Sequence, residues 1–269
     1  MLEARAVNFA YTRGEPVIHD IDLRINDGEF IALLGHNGSG KTTLSRLFMA
    51  LCHPRSGVIA VDGDDIAKLE PADLVEKIGY VFQNPDLQIL EDTVFDEIAY
   101  GPRTRKILEA DVTRRVEEAM EATGLTELRN AYPRLLSFGQ KRRLGVAAAL
   151  ALRPKMLILD EITNGQDSLE QERIMQYLKA INEEKGITII LITHDMEIAA
   201  RYAKRAIVLH RGHLAFDGSP EDLFDGTKPL ESWGLYRPTI MTLAGALGIS
   251  AKDSAEFVSK IVRRAGEEQ

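Results

Sequence analysis

Gly35-His36-Asn37-Gly38-Ser39-Gly40-Lys41-Thr42 sets three glycines, a lysine and a hydroxyl at fixed offsets. Glycines let a backbone curl until successive N–H groups point inward at an anion, a lysine there reaches β and γ phosphates, and the adjoining hydroxyl suits Mg²⁺. Asn37, Gly38, Ser39, Gly40, Lys41, Thr42 and the next residue, Thr43, form the candidate phosphate cradle. Upstream, Glu29-Phe30-Ile31-Ala32-Leu33-Leu34 is an apolar run suited to a buried strand, and downstream Leu44, Leu47, Phe48 and Leu51 recur at helical spacing. A phosphate would therefore sit at a helix N-terminus, where unpaired N–H groups and the macrodipole favour negative charge.

The chain has 269 residues, 45% of them hydrophobic, which suits one large α/β domain with an appendage or two modest domains. Thirty-three Lys and Arg against 41 Asp and Glu leave a formal charge of −8, which weighs against a surface built for nucleic acid. With Cys52 as its one cysteine the chain makes no internal disulfide, and residues 1–10 lack the basic-then-apolar layout of a signal peptide, so a reducing cytoplasm is expected. The apolar runs at 145–152 and 187–192 fall well short of the roughly 20 residues that a spanning helix needs. Work at a membrane would go through a partner.

Residues 2–9 and 17–25 read as antiparallel strands joined by a turn at Thr12-Arg13-Gly14-Glu15-Pro16. Tyr11 lies near that turn, where an exposed aromatic either stacks on a purine or serves as a rim or core residue. Short strands follow at 57–61 and 79–82, and the second exits into Gln83-Asn84-Pro85-Asp86. An amide at that exit, Gln83, can touch a metal-bound water and follow movement of the next segment. From 86 to 153 the pattern is helical, with Val112, Val116, Ala119 and Met120 on one stripe and a break at Tyr132-Pro133, as for a helical unit inserted in an α/β core. Ser137 and Gln140 have capping-box spacing, and the same helix start also offers a second anion site through the Ser137 hydroxyl.

Met156-Leu157-Ile158-Leu159 is an apolar strand tipped by Asp160-Glu161. In a chain with a phosphate loop these two carboxylates can divide the work, Asp160 holding Mg²⁺ and Glu161 accepting a proton from an attacking water, the alternative being a solvated acidic turn. Residues 187–192 form the next core strand, and His194 beyond it is placed to hydrogen-bond a γ phosphate. A hairpin at 206–217 turns on Arg211-Gly212 between His210 and His213, too few ligands for a closed metal site. A short helix starts at Ser219-Pro220, and two helical stretches follow at 239–247 and 251–265, the latter with Ser250 as its expected cap.

In this order Tyr11, the 35–42 loop, Gln83, Leu136-Ser137-Phe138-Gly139-Gln140, Asp160-Glu161 and His194 resemble the nucleotide-binding domain of an ABC ATPase over residues 1 to about 225. The resemblance implies a P-loop NTPase (RecA-like) α/β core with an N-terminal antiparallel β-subdomain, an inserted α-helical subdomain at about 84–153 and a C-terminal helical extension at 226–269. It implies ATP and Mg²⁺ as cofactors: Tyr11 on adenine, residues 37–43 on the phosphates, and Thr42, Gln83 and Asp160 about the metal. Glu161, His194 and Gln83 become the catalytic set. Two such domains would sandwich two ATP molecules head to tail, as homo- or heterodimer, with Ser137, Gly139 and Gln140 of one subunit facing the phosphates held by the other.

Tyr80-Val81-Phe82-Gln83-Asn84-Pro85-Asp86-Leu87-Gln88 is similar to the ATPase subunits of energy-coupling factor (ECF) importers of vitamins and metal ions, and Leu-Ser-Phe-Gly-Gln-Lys to their cobalt/nickel branch. That implies an integral membrane coupling subunit and a substrate-binding membrane subunit as partners, a peripheral place on the cytoplasmic face of the cell membrane, and a pairing role for 226–269. Three features depart from the pattern: Phe138 replaces the first glycine of LSGGQ, Ile162 replaces a proline, and Asn164-Gly165-Gln166-Asp167 replaces the usual D-loop. A soluble ABC protein of DNA repair, translation or cofactor assembly is the alternative, though no long coiled-coil insert or second nucleotide domain occurs here. A P-loop kinase is disfavoured by residues 136–140 and Glu161. The cargo is not legible, because membrane subunits would hold it.

Overall fold

The computed structural model describes residues 1–12, 15–69, 71–164 and 167–267. The turn expected over 12–16 and the D-loop at 164–167 thus lie partly outside the described residues.

The chain opens with strands β1 (Leu2–Phe9) and β2 (Ile18–Ile25), whose apolar positions alternate inward, followed by β3 (Phe30–Leu34), which is buried at every position. That difference is the mark of a one-faced antiparallel sheet and of a parallel sheet covered on both sides. Helix α1 (Lys41–Phe48) then leads to β4 (Ser56–Val61), β5 (Asp64–Asp65), α2 (Pro71–Leu74) and β6 (Ile78–Val81). Helices α3 (Val94–Thr104), α4 (Glu109–Thr123) and α5 (Phe138–Ala151) form the inserted helical unit. The chain returns through β7 (Met156–Asp160), α6 (Ser168–Lys185), β8 (Thr188–Ile192) and α7 (Met196–Tyr202) to the hairpin β9 (Arg205–His210) and β10 (His213–Gly218). It closes with α8 (Pro220–Leu223), α9 (Thr239–Ala246) and α10 (Ser254–Glu267).

Among the described residues one antiparallel sheet runs β2-β1-β4-β5, and a second runs β10-β9-β3-β8-β7-β6. From β9 to β6 the second sheet is parallel. Parallel strands end on the same edge, so the loops after β3, β6, β7 and β8 open onto one crevice. The register is tight there: Asp160 pairs with Ile192, and Ile192 with Leu33. Expected positions 35–43, 83, 160–161 and 194 all follow these strand ends.

One core cluster joins Leu44, Leu47 and Phe48 of α1 to the antiparallel sheet and to Ile31 and Ile158. A second packs Ile174, Met175 and Leu178 of α6 against Leu157, Leu159 and Leu191 on the other face. Helix α5 serves two cores: Leu144 and Ala147 pack with Ile98 and Met120 of the helical unit, while Val146 packs with the sheet. Leu230 and Leu235 bury into the cluster of Leu34 and Val208, so the segment after α8 is stitched to the sheet before α9 begins.

Two local expectations shift. Helix α1 stops at Phe48, because Ala50 turns left-handed (φ 51°), and Leu51 is left exposed. Asp253, not Ser250, caps α10: its carboxylate accepts from the Glu256 N–H at 2.8 Å, while the Ser250 carbonyl accepts from Lys260 at 2.6 Å.

Candidate functional site

The loop between β3 and α1 keeps its glycines for steric reasons. Gly35, Gly38 and Gly40 have φ of 140°, 81° and 108°. A Cβ on Gly35 would lie 2.2 Å from the Leu209 carbonyl oxygen, and one on Gly40 2.8 Å from Ile18 Cδ1. Both walls come from other strands. Gly40 is also the N-cap of α1 and supplies no side-chain acceptor, so the first amides of the helix are left for an anion. Lys41 is buried, and its ammonium donates to the carbonyls of Gly35 (2.6 Å) and His36 (3.1 Å), folding back over the loop. Burial lowers its pKa, opposed by Glu161 and then Asp160.

A cleft of about 370 Å³ opens here, lined by Val17, Asn37, Gly38, Gly40, Lys41, Thr42, Thr43, Gln83 and Glu161. Thr42 is exposed to it. Ser39 is fully buried beneath the loop, its hydroxyl without a partner among the described residues. Tyr11 lies outside this lining: its hydroxyl meets Thr43 Oγ1 at 3.1 Å, its ring edge packs on Phe9, and Arg46 reaches its oxygen at 3.4 Å. Val17, missed in the sequence, lines the cleft because β2 passes beside the loop. Its apolar, unmotivic character gave no signal.

Glu161 stands opposite. Its backbone is left-handed (φ 50°), unusual for a residue with a Cβ, and its N–H donates to the Ile192 carbonyl at 2.9 Å. One carboxylate oxygen accepts from Gln83 Nε2 and Asn164 Nδ2, each at 2.7 Å, while His194 Nδ1 is 3.6 Å from the other. Gln83 and Asn164 thus hold one carboxylate at the cleft rim, with His194 close by. Asn164 was read only as part of a departure from pattern, and its amide turns out to orient Glu161.

Asp160 is buried beside it and accepts from the Tyr80 hydroxyl at 3.0 Å; that hydroxyl also meets Ser45 Oγ at 3.3 Å. Burial raises the Asp160 pKa, which the Tyr80 hydrogen bond opposes, and Glu161 raises it further. Tyr80 was read in the sequence as a strand residue and as part of a resemblance, with no link to Asp160. Strand pairing of β6 with β7 puts it beside the carboxylate, a relation that spacing does not encode.

Ser137, Gly139 and Gln140 do not line this cleft. They form a complete capping box at the start of α5: the Gln140 N–H donates to Ser137 Oγ (3.2 Å) and the Ser137 N–H to Gln140 Oε1 (2.9 Å). Phe138 carries the guanidinium of buried Arg142 4.5 Å above its ring, and Arg142 donates to the carbonyls of Ile162 (2.9 Å) and Asn164. The departures at Phe138 and Ile162 therefore meet in one cation-centred contact.

A family model described as "ABC transporter" matches residues 18–164, more than half of the chain. The chain belongs to the ABC transporter family. It is 40% identical to the energy-coupling factor transporter ATP-binding protein EcfA2 of Caldanaerobacter subterraneus, over 91% of this chain and 88% of the relative. Among solved structures it superposes on CbiO1 of Clostridium perfringens, part of the ABC transporter complex CbiONQ, with TM-score 0.78 and 35% identity over 86% of this chain and 92% of that one. It also matches an ATP-binding cassette solved as a dimer in a post-hydrolysis state with ADP and phosphate, with TM-score 0.74 and 29% identity over 82% and 99%. Against the first two curated relatives it matches, the chain spans 45% and 39% of their length. The α/β P-loop NTPase fold is thereby that of an ABC cassette.

In an ABC cassette these residues fit a nucleotide and a hard cation. The loop offers unmet amides and a buried ammonium to phosphate oxygens, and Thr42 and Asp160 offer oxygen donors. Mg²⁺ is commonly held by one or two carboxylates and the substrate's own phosphates rather than by a protein cage, which suits this sparse donor set.

Proposed function

We propose that this chain binds MgATP and hydrolyses it as the motor subunit of an ECF-type importer of a vitamin or transition-metal ion. The observation that carries this reading is the Glu161 carboxylate, held at the rim of the phosphate cleft by Gln83 and Asn164 with His194 at 3.6 Å. Lys41 and the 37–43 amides hold the triphosphate, and Glu161 takes a proton from the attacking water. His194, 60% exposed, meets the γ phosphate, and Tyr11 the adenine. Thr42, Asp160 and Gln83 would hold Mg²⁺, which would supply positive charge to the phosphate oxygens.

Ser137 is exposed and absent from its own chain's cleft, so the second half of the site comes from a second ABC ATPase subunit, like or unlike, in a head-to-tail sandwich. Gly139 and Gln140 join it there. Residues 1–225 would be the cassette, with its helical subdomain at about 84–153, and residues 226–269 an extension that pairs the subunits; α10 leaves Val258 and Val262 exposed one turn apart. Leu87 and Leu90, 75% and 62% exposed after the Gln83 loop, offer an apolar surface to an integral membrane coupling subunit, with a separate membrane subunit binding the cargo. Among the described residues no helix is long and apolar enough to cross a membrane. The chain would sit on the cytoplasmic face through these partners.

The full chain should release inorganic phosphate from MgATP and, tagged in its native host, co-purify with integral membrane proteins from detergent extracts. Recovery with ribosomes or DNA and no membrane protein would overturn the importer reading. Tyr80→Phe supplies a pH test. Removing the hydroxyl takes away the bond that opposes the raised pKa of Asp160, so the proton stays on to higher pH. The acid limb of MgATP turnover should move upward, with the alkaline limb unmoved; an unshifted acid limb would rule out Asp160 as the group that titrates.

A further inference from the structure

Away from the nucleotide cleft, a cavity of about 640 Å³ lies where α4 and α5 of the helical unit meet α6 of the sheet core. That is within the roughly 300–1,000 Å³ of small-molecule sites. Its floor is apolar: Ala119 and Ile181 are buried, and Leu150 packs at the edge of the sheet core. Two polar groups on its walls are unmet among the described residues. Arg115 Nε is buried with no partner, and the same guanidinium makes only one long bond, 3.4 Å to the Ala151 carbonyl. The Tyr177 phenol, half-buried in the cavity, takes part in no hydrogen bond, and burial raises its pKa.

Charge at the mouth is lopsided. Glu118 is taken by Arg153 at 2.8 Å and Asp27 by the N-terminal ammonium, which leaves Arg115 and Lys185 lining the cavity without a salt bridge among the described residues. A buried guanidinium nitrogen left unpaired costs free energy that a bonded ligand would recover. Water alone would solvate these groups but would leave the apolar floor wet.

We propose that this cavity binds an amphipathic organic anion: an apolar body on Leu150, Ala119 and Ile181, and one carboxylate, sulfonate or phosphate between Arg115 and Lys185, with Tyr177 donating to it. Arg115 belongs to α4 and Lys185 to α6, so the ligand ties the helical unit to the sheet core. The site is independent of the nucleotide cleft and of the function proposed above.

Anilinonaphthalene sulfonate, which has a two-ring body and one sulfonate, is the probe. Titrated into the full chain it should bind saturably at one site, and Arg115→Met and Lys185→Met should each weaken binding at least tenfold. Lys41→Met and saturating MgATP should leave it within twofold. Lys185 is exposed at the end of α6, so its variant folds even if Arg115→Met does not, and equal thermal midpoints establish this. Ile181→Trp, which fills the floor, should also abolish saturable binding. Unchanged affinity in Lys185→Met and Ile181→Trp, or displacement of the probe by MgATP, overturns the proposal.

Discussion

Glu161→Gln should leave MgATP binding within a few-fold of the parent and cut turnover about 10³-fold. Glutamine keeps the length of the side chain and an oxygen that accepts from Gln83 and Asn164, so the loops that hold it need not move. What it loses is the ability to take a proton from water. The left-handed backbone at 161 is a property of the turn, not of the carboxylate, and is retained. Because the triphosphate is then bound but not consumed, the head-to-tail dimer should persist. Gel filtration with MgATP should show the variant shifting to twice the mass while the parent returns to monomer as ATP is used. Turnover within tenfold of the parent would remove Glu161 as the base, and His194 at 3.6 Å would be the next group to consider.

Lys41→Met should weaken ATP binding at least about 100-fold and bring hydrolysis to background. The ammonium is already buried and pinned by two carbonyls, so little ordering remains to be done when phosphates arrive. Losing charge-assisted bonds to two phosphates is worth roughly 3 kcal/mol, which sets the expected factor. The same substitution leaves the Gly35 and His36 carbonyls without their donor, so denaturant unfolding should show about 1–2 kcal/mol less stability. Equilibrium dialysis with labelled ATP separates the two effects. Binding within twofold of the parent would show that the loop amides alone hold the anion.

These two substitutions act on residues that were legible before any coordinates. The 35–42 loop, the apolar strand before Asp160-Glu161 and the Ser137 capping box are each short, contiguous patterns whose meaning is local: backbone permissiveness, period and capping. The 3.6 and 2.0 periodicities likewise located many helices and strands within a few residues, but no reading covered α6 (Ser168–Lys185) or α7 (Met196–Tyr202). Where local reading slipped, at Leu51 and Ser250, a left-handed turn and a rival cap decided the boundary.

The sequence by itself determined that a phosphate loop, two carboxylates and a capped helix occur in one chain in a family-specific order. Only the tertiary structure decided which of them meet. Strand order β9-β3-β8-β7-β6 is a choice among topologies that no local periodicity encodes. It brings Tyr80 to Asp160 and Gln83 to Glu161, while β2 of the other sheet, passing beside the loop, brings Val17 to the cleft wall. Packing of α5 against the β7 exit sends Arg142 to the Ile162 carbonyl and explains why Phe138 is accepted in place of glycine. The phosphate loop is written in backbone chemistry, and its partners are set by which buried strands lie side by side.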